Sequence, residues 1–276
     1  MRLASRFLVL LSLLPPLSLR AQGPVAAGVT AGAVKLTAQR SEQALTGILQ
    51  VQAGSWLSFS ATPSFVHVSD VVSSRSVSSN GVGDLPLSAA AFHSFPTPGA
   101  PVLGAALIMV LPTGNAACGL GSGETSFGLD LGAGVSPSHG LHLAADVSRS
   151  ISGLSAQSTL SAPHATSLRG EASYDLSPRW TTSVSLGADV GQVDSTQALS
   201  RALGAGLTHE LGSLTLTLDA SVGLSAASPK WALSLGIGRV FAGTSPVSPS
   251  SGLRRLKSSF VGGVSRGKGG GKIGCR

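Results

Sequence analysis

The sequence predicts an all-β chain that closes into a transmembrane antiparallel up-and-down β-barrel of about 12 strands, with 10 as the fallback count. Charged residues make up only 11% of its 276 residues, and the mean hydropathy is positive, at +0.33. Apolar residues alternate with small or polar residues in short segments, so no long apolar run forms. Short turns alternate with longer Gly- and Ser-rich connections, as in outer-membrane barrels.

The first 21 residues have the pattern of a secretory signal peptide. Arg2 and Arg6 precede an apolar run that two prolines interrupt. A membrane-spanning helix needs about 20 apolar residues, and this run is shorter and broken. We therefore expect residues 1–21 to be a signal peptide and 22–241 an outer-membrane β-barrel, with a retained membrane anchor as the alternative.

Twelve segments alternate with period two, which predicts strands rather than helices. In the clearest of them, SLTLTLDASVGL, leucines take one face while Ser, Thr and Asp219 take the other. The first two segments could also be a helical or disordered lead-in, which is the reason for the fallback count. The predicted strands are about 28–39, 44–53, 55–68, 82–95, 101–112, 125–136, 141–153, 166–177, 180–192, 198–211, 213–225 and 230–241.

The connections decide between a soluble sandwich and a membrane barrel. Even-numbered strands are followed by short turns, and the other set includes long loops at about 69–81, 113–124 and 154–165. Short turns face the periplasm in outer-membrane barrels, long loops face outward, and an even strand count returns both termini to the periplasm. The connection near 226–229 is shorter than this rule expects.

The predicted inner face is small and polar, with charged residues among Ser, Thr, Gly and Ala. Such residues are costly against lipid and are favourable in a wet lumen. They either meet the solute or only pair with one another to hold the wall. The predicted lumen-lining residues are Asp130, Asp146, Arg169, Glu171, Asp189 and Asp219. Aromatic residues expected in an interfacial girdle near the short turns are Trp56, Tyr174, Trp180 and Trp231.

The net charge of +7 does not belong to the predicted barrel. Three of the 19 basic residues lie in the signal peptide and seven lie after Phe241, which leaves nine against all 12 acidic residues. This excludes a basic nucleic-acid-binding face. Residues 242–276 are predicted to be a basic, Gly/Ser-rich disordered tail; electrostatic contact with anionic lipid or cell-wall polymer is the alternative.

The Gly-rich run around 111–124 fits no phosphate-binding loop, since Glu124 and Leu120 occupy positions that would need Gly and Lys. We expect it to be an outside loop with Cys118 at its tip. On that topology Cys118 and Cys275 lie on opposite sides of the membrane and cannot pair within one molecule.

No catalytic, cofactor-binding or metal-ligating set is predicted, and the chain is not expected to be an enzyme. His142, Asp146 and Ser148 share one face of a strand, but at about 3.3 Å per residue they lie too far apart for a triad. The spacing of His93, His139 and His209 matches no metal motif, and these side chains are interpreted as surface or interface residues.

Three stretches carry a family resemblance: GVGDLPLSAAAFHSF (81–95), PVLGAALIMVLPTG (101–114) and GLGSGETSFGLDLGAGVSPSHGLHLAADV (119–147). They resemble the outer-membrane barrel family named for the MetA pathway of phenol degradation. The resemblance implies an outer-membrane transporter or diffusion channel for small, often hydrophobic or aromatic compounds. The alternative is a non-conducting structural or adhesive barrel that acts through its outer loops.

The resemblance also implies the partners. These are outer-membrane lipid, a small-molecule solute, and the outer-membrane assembly machinery, which would read the terminal aromatic Phe241. In this chain 35 further residues follow Phe241. Nucleic acid is not expected.

Overall fold

The computed structural model describes residues 25–72, 74–151, 166–190, 200–226 and 228–241. Within these ranges the chain forms a closed antiparallel barrel of twelve strands. The predicted signal peptide and the predicted tail lie outside the described residues, as does the predicted loop at 154–165. No helix in the described ranges is long and apolar enough to cross a membrane.

The strands follow the predicted order, and each pairs with its neighbours in sequence. Their bounds are β1 Val25–Lys35, β2 Ser41–Ala53, β3 Leu57–Ala61 with Ser64–Val72, β4 Arg75–Val82 with Leu85–Ser94, β5 Val102–Leu111, β6 Ser126–Ser138, β7 Leu141–Ile151, β8 Thr166–Ser177, β9 Trp180–Val190, β10 Arg201–Leu211, β11 Leu214–Gly223 and β12 Trp231–Phe241.

Strand β1 closes the barrel because it pairs with both β2 and β12. Val25 lies opposite Phe241 at one end, and Lys35 lies opposite Trp231 at the other. Lys35 also lies opposite Ser41 of β2. The first two segments are therefore barrel strands, and the count of twelve is confirmed over ten.

Strands β3 and β4 are each interrupted once, at Thr62–Pro63 and at Gly83–Asp84. Proline cannot donate a ladder hydrogen bond, which explains the break in β3. The pairing of β3 with β4 shifts by one residue across this point, because β4 carries one extra residue there. Such a β-bulge bends the strand. The extra residue also shifts the alternation of side chains between the two faces of β4 by one position.

The predicted loop at 69–81 is wrong. Strand β3 continues to Val72 and β4 starts at Arg75, with Val68 opposite Ser79. Ser- and Gly-rich sequence suggested a loop, but tertiary context outweighs intrinsic β-propensity, and the valine-rich β3 supplies the backbone partner for this segment.

Strand β5 stops well before the end of β4. Its last residue, Leu111, lies opposite Leu85, while β4 extends a further ten residues back to Arg75. The first part of β4, Arg75–Val82, therefore has no strand on its β5 side within the described ranges. The connection 112–125, which includes a short 3-10 turn at Ala116–Cys118, is the segment next to this gap.

The two faces of the barrel wall differ as the alternation predicts. Outward residues are apolar and exposed, as in β12, where Leu233, Leu235 and Ile237 expose 49%, 60% and 48% of their surfaces. Inward residues are small or polar, and Thr46, Ser173 and Thr215 are buried there. A wall that is apolar outside and polar inside suits a lipid exterior and a polar lumen.

Trp56, Tyr174 and Trp180 lie near the end of the barrel that carries the short turns, as predicted. Trp231 does not, because it begins β12 opposite Lys35 at the other end. Neighbouring strands run in opposite directions, and β12 runs from that end towards Phe241, so its first residue is far from the short turns. Arg239 faces outward near the short-turn end, with its guanidinium carbon 5.4 Å from the ring centroid of Phe241.

Candidate functional site in the barrel lumen

The two ends of the barrel are distinct. The turns at 54–56, 95–101, 139–140, 178–179 and 212–213 share the short-turn end with Val25 and Phe241. The connections 36–40 and 112–125 and the described residues 74, 224–226 and 228–230 lie at the other end, called here the loop end.

Four of the predicted lumen-lining residues meet on the inner face of β6, β7 and β8. Asp146 lies opposite Arg169 in the ladder, and Arg169 donates to Glu171 at 2.9 Å. Asp130 and Asp146 both lie within electrostatic range of Arg169. We call Asp130, Asp146, Arg169 and Glu171 the acidic cluster, because three carboxylates share one guanidinium.

Two atoms of the acidic cluster are buried and have no hydrogen-bond partner among the described residues. They are Oδ1 of Asp130 and Nη1 of Arg169. Buried polar atoms of this kind are costly unless water or a ligand satisfies them. These two atoms are therefore left without a described protein partner, while their own surfaces are closed to solvent.

The remaining two candidates lie apart from the cluster. Asp189 accepts a hydrogen bond of 2.6 Å from Ser167 Oγ near the loop end. Asp219 lies opposite Gly206 and Ser234 on the inner face of β11. All six residues share the inner face by register, but only four of them form one group.

The segment 112–125 is attached to the barrel wall, a feature that sequence reasoning missed. The Asp84 carboxylate, at the β4 bulge, accepts from Gly114 N at 3.0 Å and from Ser122 N at 2.6 Å. Thr113 Oγ1 donates to Gly83 O at 2.7 Å. One carboxylate thus holds the two ends of this loop together. The sign of this contact in the sequence was an acidic residue next to a glycine, which the structure places in the middle of β4.

The middle of this loop packs inside the barrel. Cys118 and Leu120 are buried, with 3% and 8% of their surfaces exposed, against Val68 on the inner face of β3. A Cβ at Gly114 would collide with the carbonyl oxygen of Leu120, so glycine is needed for this close approach. The loop narrows the lumen at the loop end.

The position predicted for Cys118 is wrong. It is not at an exposed tip, and it is part of a disulfide. Apolar side chains in the loop lower their free energy by packing on Val68 instead of facing water. The sequence has one other cysteine, Cys275, which lies outside the described residues.

A hydrogen-bonded line crosses four strands at the short-turn end. His142 lies between Ser136 Oγ, 2.7 Å from its Nδ1, and Asp175 Oδ2, 3.1 Å from its Nε2. Thr181 Oγ1 donates to Asp175 Oδ1 at 2.7 Å. We call these four residues the rim network, and it replaces the His142, Asp146 and Ser148 line considered from the sequence.

The rim network has the residue types of a nucleophilic triad, and it links four strands of the barrel through side chains. The amide of Ser136, the group that commonly stabilises an oxyanion, donates to Gly99 O at 2.7 Å. His209 stacks on Trp180 with centroids 4.0 Å apart, and His93 packs edge-on against Phe95. Within the described ranges, no group of three or more His, Cys, Asp or Glu could hold a metal ion.

Comparison with known proteins supports the architecture. The family described as "Putative MetA-pathway of phenol degradation" matches residues 21–239. The COG4313 outer membrane channel from Pseudomonas putida F1 superposes with a TM-score of 0.62 at 18% identity, over 79% of this chain and 96% of that one. The KdgM porin superposes with a TM-score of 0.51 at 9% identity, over 79% and 99%. No curated protein matches significantly in sequence.

Proposed function

The chain belongs to the family named for the MetA pathway of phenol degradation and is an outer-membrane β-barrel, and from that premise we propose that it is a transporter or diffusion channel for small compounds. The observation that carries the proposal is the acidic cluster, in which three carboxylates and one guanidinium lie on the inner face of β6, β7 and β8. Charged side chains are costly against lipid and are favourable in a wet lumen.

The charge of the inner wall favours cations and polar solutes over anions. Three carboxylates and one guanidinium form the acidic cluster, so a passing anion meets net repulsion in a medium of lowered dielectric constant. The resemblance implies hydrophobic or aromatic solutes, and a small weakly polar aromatic compound is compatible with a wall of Ser, Thr and Gly.

Two other functions are outcomes of the same experiments. A structural or adhesive barrel that acts through its loops would not conduct. We propose no catalytic role for the rim network, because the backbone amide of Ser136 already donates to Gly99 O. Planar-bilayer conductance of the purified full chain decides between channel and closed barrel. Absence of conductance both in the full chain and in a variant lacking 242–276 would overturn the channel.

The acidic cluster provides the first prediction. The triple variant Asp130→Asn, Asp146→Asn, Glu171→Gln removes three negative charges from the wall and keeps the side-chain shapes. In a KCl gradient the cation preference should fall, and the reversal potential should move towards zero or change sign. The measurement is made with and without residues 242–276, so that the basic tail does not mask the wall.

The matched control is Arg239→Gln, which removes a charge from the outer face near the short-turn end. Its reversal potential should equal that of the wild type. Equal shifts in the control and in the triple variant would mean that the cluster does not face the permeating ions.

A further inference from the structure

The charges of the barrel wall are sorted by sign between its two faces. The charged residues on the outer face of the described strands are all basic: Lys35, Arg149, Arg201 and Arg239. By register, every carboxylate within these strands is on the inner face. These carboxylates belong to Glu42, Asp70, Asp130, Asp146, Glu171, Asp175, Asp189, Glu210 and Asp219.

The cost of placing charge in lipid does not explain the absence of acids from the outer face of these strands. A charged side chain is costly at the middle of the bilayer, and the cost falls towards the interface for either sign. Acidic residues would therefore be tolerated near the strand ends as basic residues are. An outer face with basic residues alone indicates an anionic partner at the level of the lipid headgroups.

Three basic residues lie in one sector of the loop end. Lys35 ends β1 opposite Trp231, and Lys230 N donates to Lys35 O at 2.7 Å. Trp231 is in the same ladder row as Leu203 of β10, and Arg201 lies two residues beyond Leu203 towards the loop end. We call Lys35, Arg201 and Lys230 the basic patch.

The basic patch has two cationic points at some distance from each other. Lys35 and Lys230 form one point and Arg201 the other, and β1 and β10 are three strand spacings apart, which is about 14 Å. Long basic side chains lay their stems along apolar surface while the charged ends reach the headgroups. This arrangement suits a headgroup with two separated phosphates.

No acidic side chain neutralises the basic patch within the described part of the chain. The three ion pairs found there join other side chains. Trp231 and Leu224, beside the patch, expose 45% and 54% of their surfaces. Positive charge next to an apolar and aromatic surface matches a lipid that carries phosphate above its acyl chains.

The connections next to the basic patch are short and leave it open. Residues 36–40 join β1 to β2, and β11 ends at Gly223 only a few residues before β12 starts. Ser228 is buried in that second connection, and its Oγ accepts from Arg201 N at 2.8 Å. This bond holds the connection against the start of β10, and the Arg201 side chain stays exposed.

We propose that the basic patch binds the phosphate groups of a phosphorylated glycolipid in the outer leaflet of the membrane. The loop end of such barrels faces outward, so the patch meets the outer leaflet and not the periplasmic one. The site goes beyond the proposed channel function and does not depend on conduction.

Native mass spectrometry of the full chain in detergent tests the site. The chain is incubated with lipid A, with lipid A from which the phosphates have been removed, or with phosphatidylglycerol. We expect lipid A to be retained, the dephosphorylated lipid to be lost, and retention of lipid A to fall as salt is raised. Equal retention of the dephosphorylated lipid would overturn the site, and equal retention of phosphatidylglycerol would overturn the choice of a glycolipid.

Charge-removing variants test which residues bind the phosphates. One basic residue near an anionic surface contributes about fivefold in affinity, so Arg201→Gln should weaken lipid A binding by about that factor. The triple variant Lys35→Gln, Arg201→Gln, Lys230→Gln should weaken it by at least about tenfold. Arg239→Gln, the same change at the short-turn end, is the matched control and should bind as the wild type does.

Residues 242–276 are the same in every variant, so their basic charge does not affect the comparison. Heat-modifiable migration on a gel confirms folding, and the single variants Arg201→Gln and Lys230→Gln carry the test if the triple variant does not fold. Affinities equal to that of the wild type in the patch variants would overturn the proposal. A barrel that binds lipid A through the patch but does not conduct would overturn the channel and leave the site standing.

Discussion

Asp84 shows how a single side chain can position a loop. Its two carboxylate oxygens accept from Gly114 N and Ser122 N, which are eight residues apart in the same connection. Hydrogen bonds to an ionised acceptor are stronger than those between neutral groups. The acid is therefore better explained by what it holds than by a contribution to the charge of the lumen.

Replacement of Asp84 provides the second prediction. In Asp84→Asn one oxygen becomes an NH2 group that cannot accept, so one of the two bonds is lost. The cost is about 1.5 kcal/mol, the low end for a charged acceptor because the Ser122 bond is exposed. The loop should loosen, and a glutamate-specific protease added to proteoliposomes should cut faster after Glu124.

Asp70→Asn is the matched control. The Asp70 carboxylate accepts from the amide of the next residue, Val71, at 2.8 Å and takes no part in holding the loop. Its cleavage rate should stay that of the wild type. Equal rates for Asp84→Asn and the wild type would show that the carboxylate does not restrain the segment.

At the level of strands, irregularities rather than regular pairing create the features of the lumen. The bulge at Gly83–Asp84 and the early end of β5 at Leu111 leave room beside the first part of β4, Arg75–Val82. The connection 112–125 is bound at that place. At the other end, the rim network links β6, β7, β8 and β9 through side chains.

The rim network provides the third prediction. His142→Ala removes the hydrogen bonds to Ser136 and Asp175. These side chains are about one third exposed, so the loss should be near 1 kcal/mol in the free energy of unfolding. Equilibrium unfolding in urea from lipid vesicles measures it. His139→Ala, at an exposed neighbouring position, should leave that free energy unchanged, and an equal effect of both changes would refute the network.

The end of β12 provides the fourth prediction. If the assembly machinery reads a terminal aromatic, Phe241→Ala should lower the amount of heat-modifiable folded barrel in outer-membrane fractions. Phe95→Ala is the control, because Phe95 also lies at the short-turn end but does not end the last strand. Equal yields from both variants would remove Phe241 as the signal.

For the whole molecule, the membrane sets the cost of polarity on the outer face. Leu218 lies in the middle of β11 and exposes 44% of its surface, whereas Val222 lies near the loop end and exposes 49%. Their exposures are similar, but their depths in the bilayer differ. Exposure alone therefore cannot rank substitutions in this protein.

This difference provides the fifth prediction. Leu218→Arg should cost about 2–4 kcal/mol of folding free energy in lipid vesicles, and Val222→Arg about 0–1 kcal/mol, because the penalty falls towards the interface. Trp231, opposite Val222, gives the new guanidinium an aromatic neighbour. Equal penalties would mean that the outer face does not cross a membrane.

Much of the fold could be predicted because barrel strands are encoded locally. Side-chain period two shows clearly in strands such as β6 and β12, and the inward assignment of Asp146 and Arg169 follows from the same alternation. Trp231 was placed at the wrong end because parity does not indicate depth. The packing of Leu120 on Val68 has no period at all, so no pattern could predict it.

By itself, then, the sequence predicted the class of fold, twelve or ten strands and an inner face for the acidic residues, since alternation and turn residues are properties of neighbours in the chain. The closure of β1 on β2 and β12 decided for twelve. Only the tertiary structure decided which charges meet and which way the loop at 112–125 turns. Asp84 and Ser122 are 38 residues apart, and His142 and Asp175 are 33 apart. Contacts at that separation depend on the register and closure of the whole barrel.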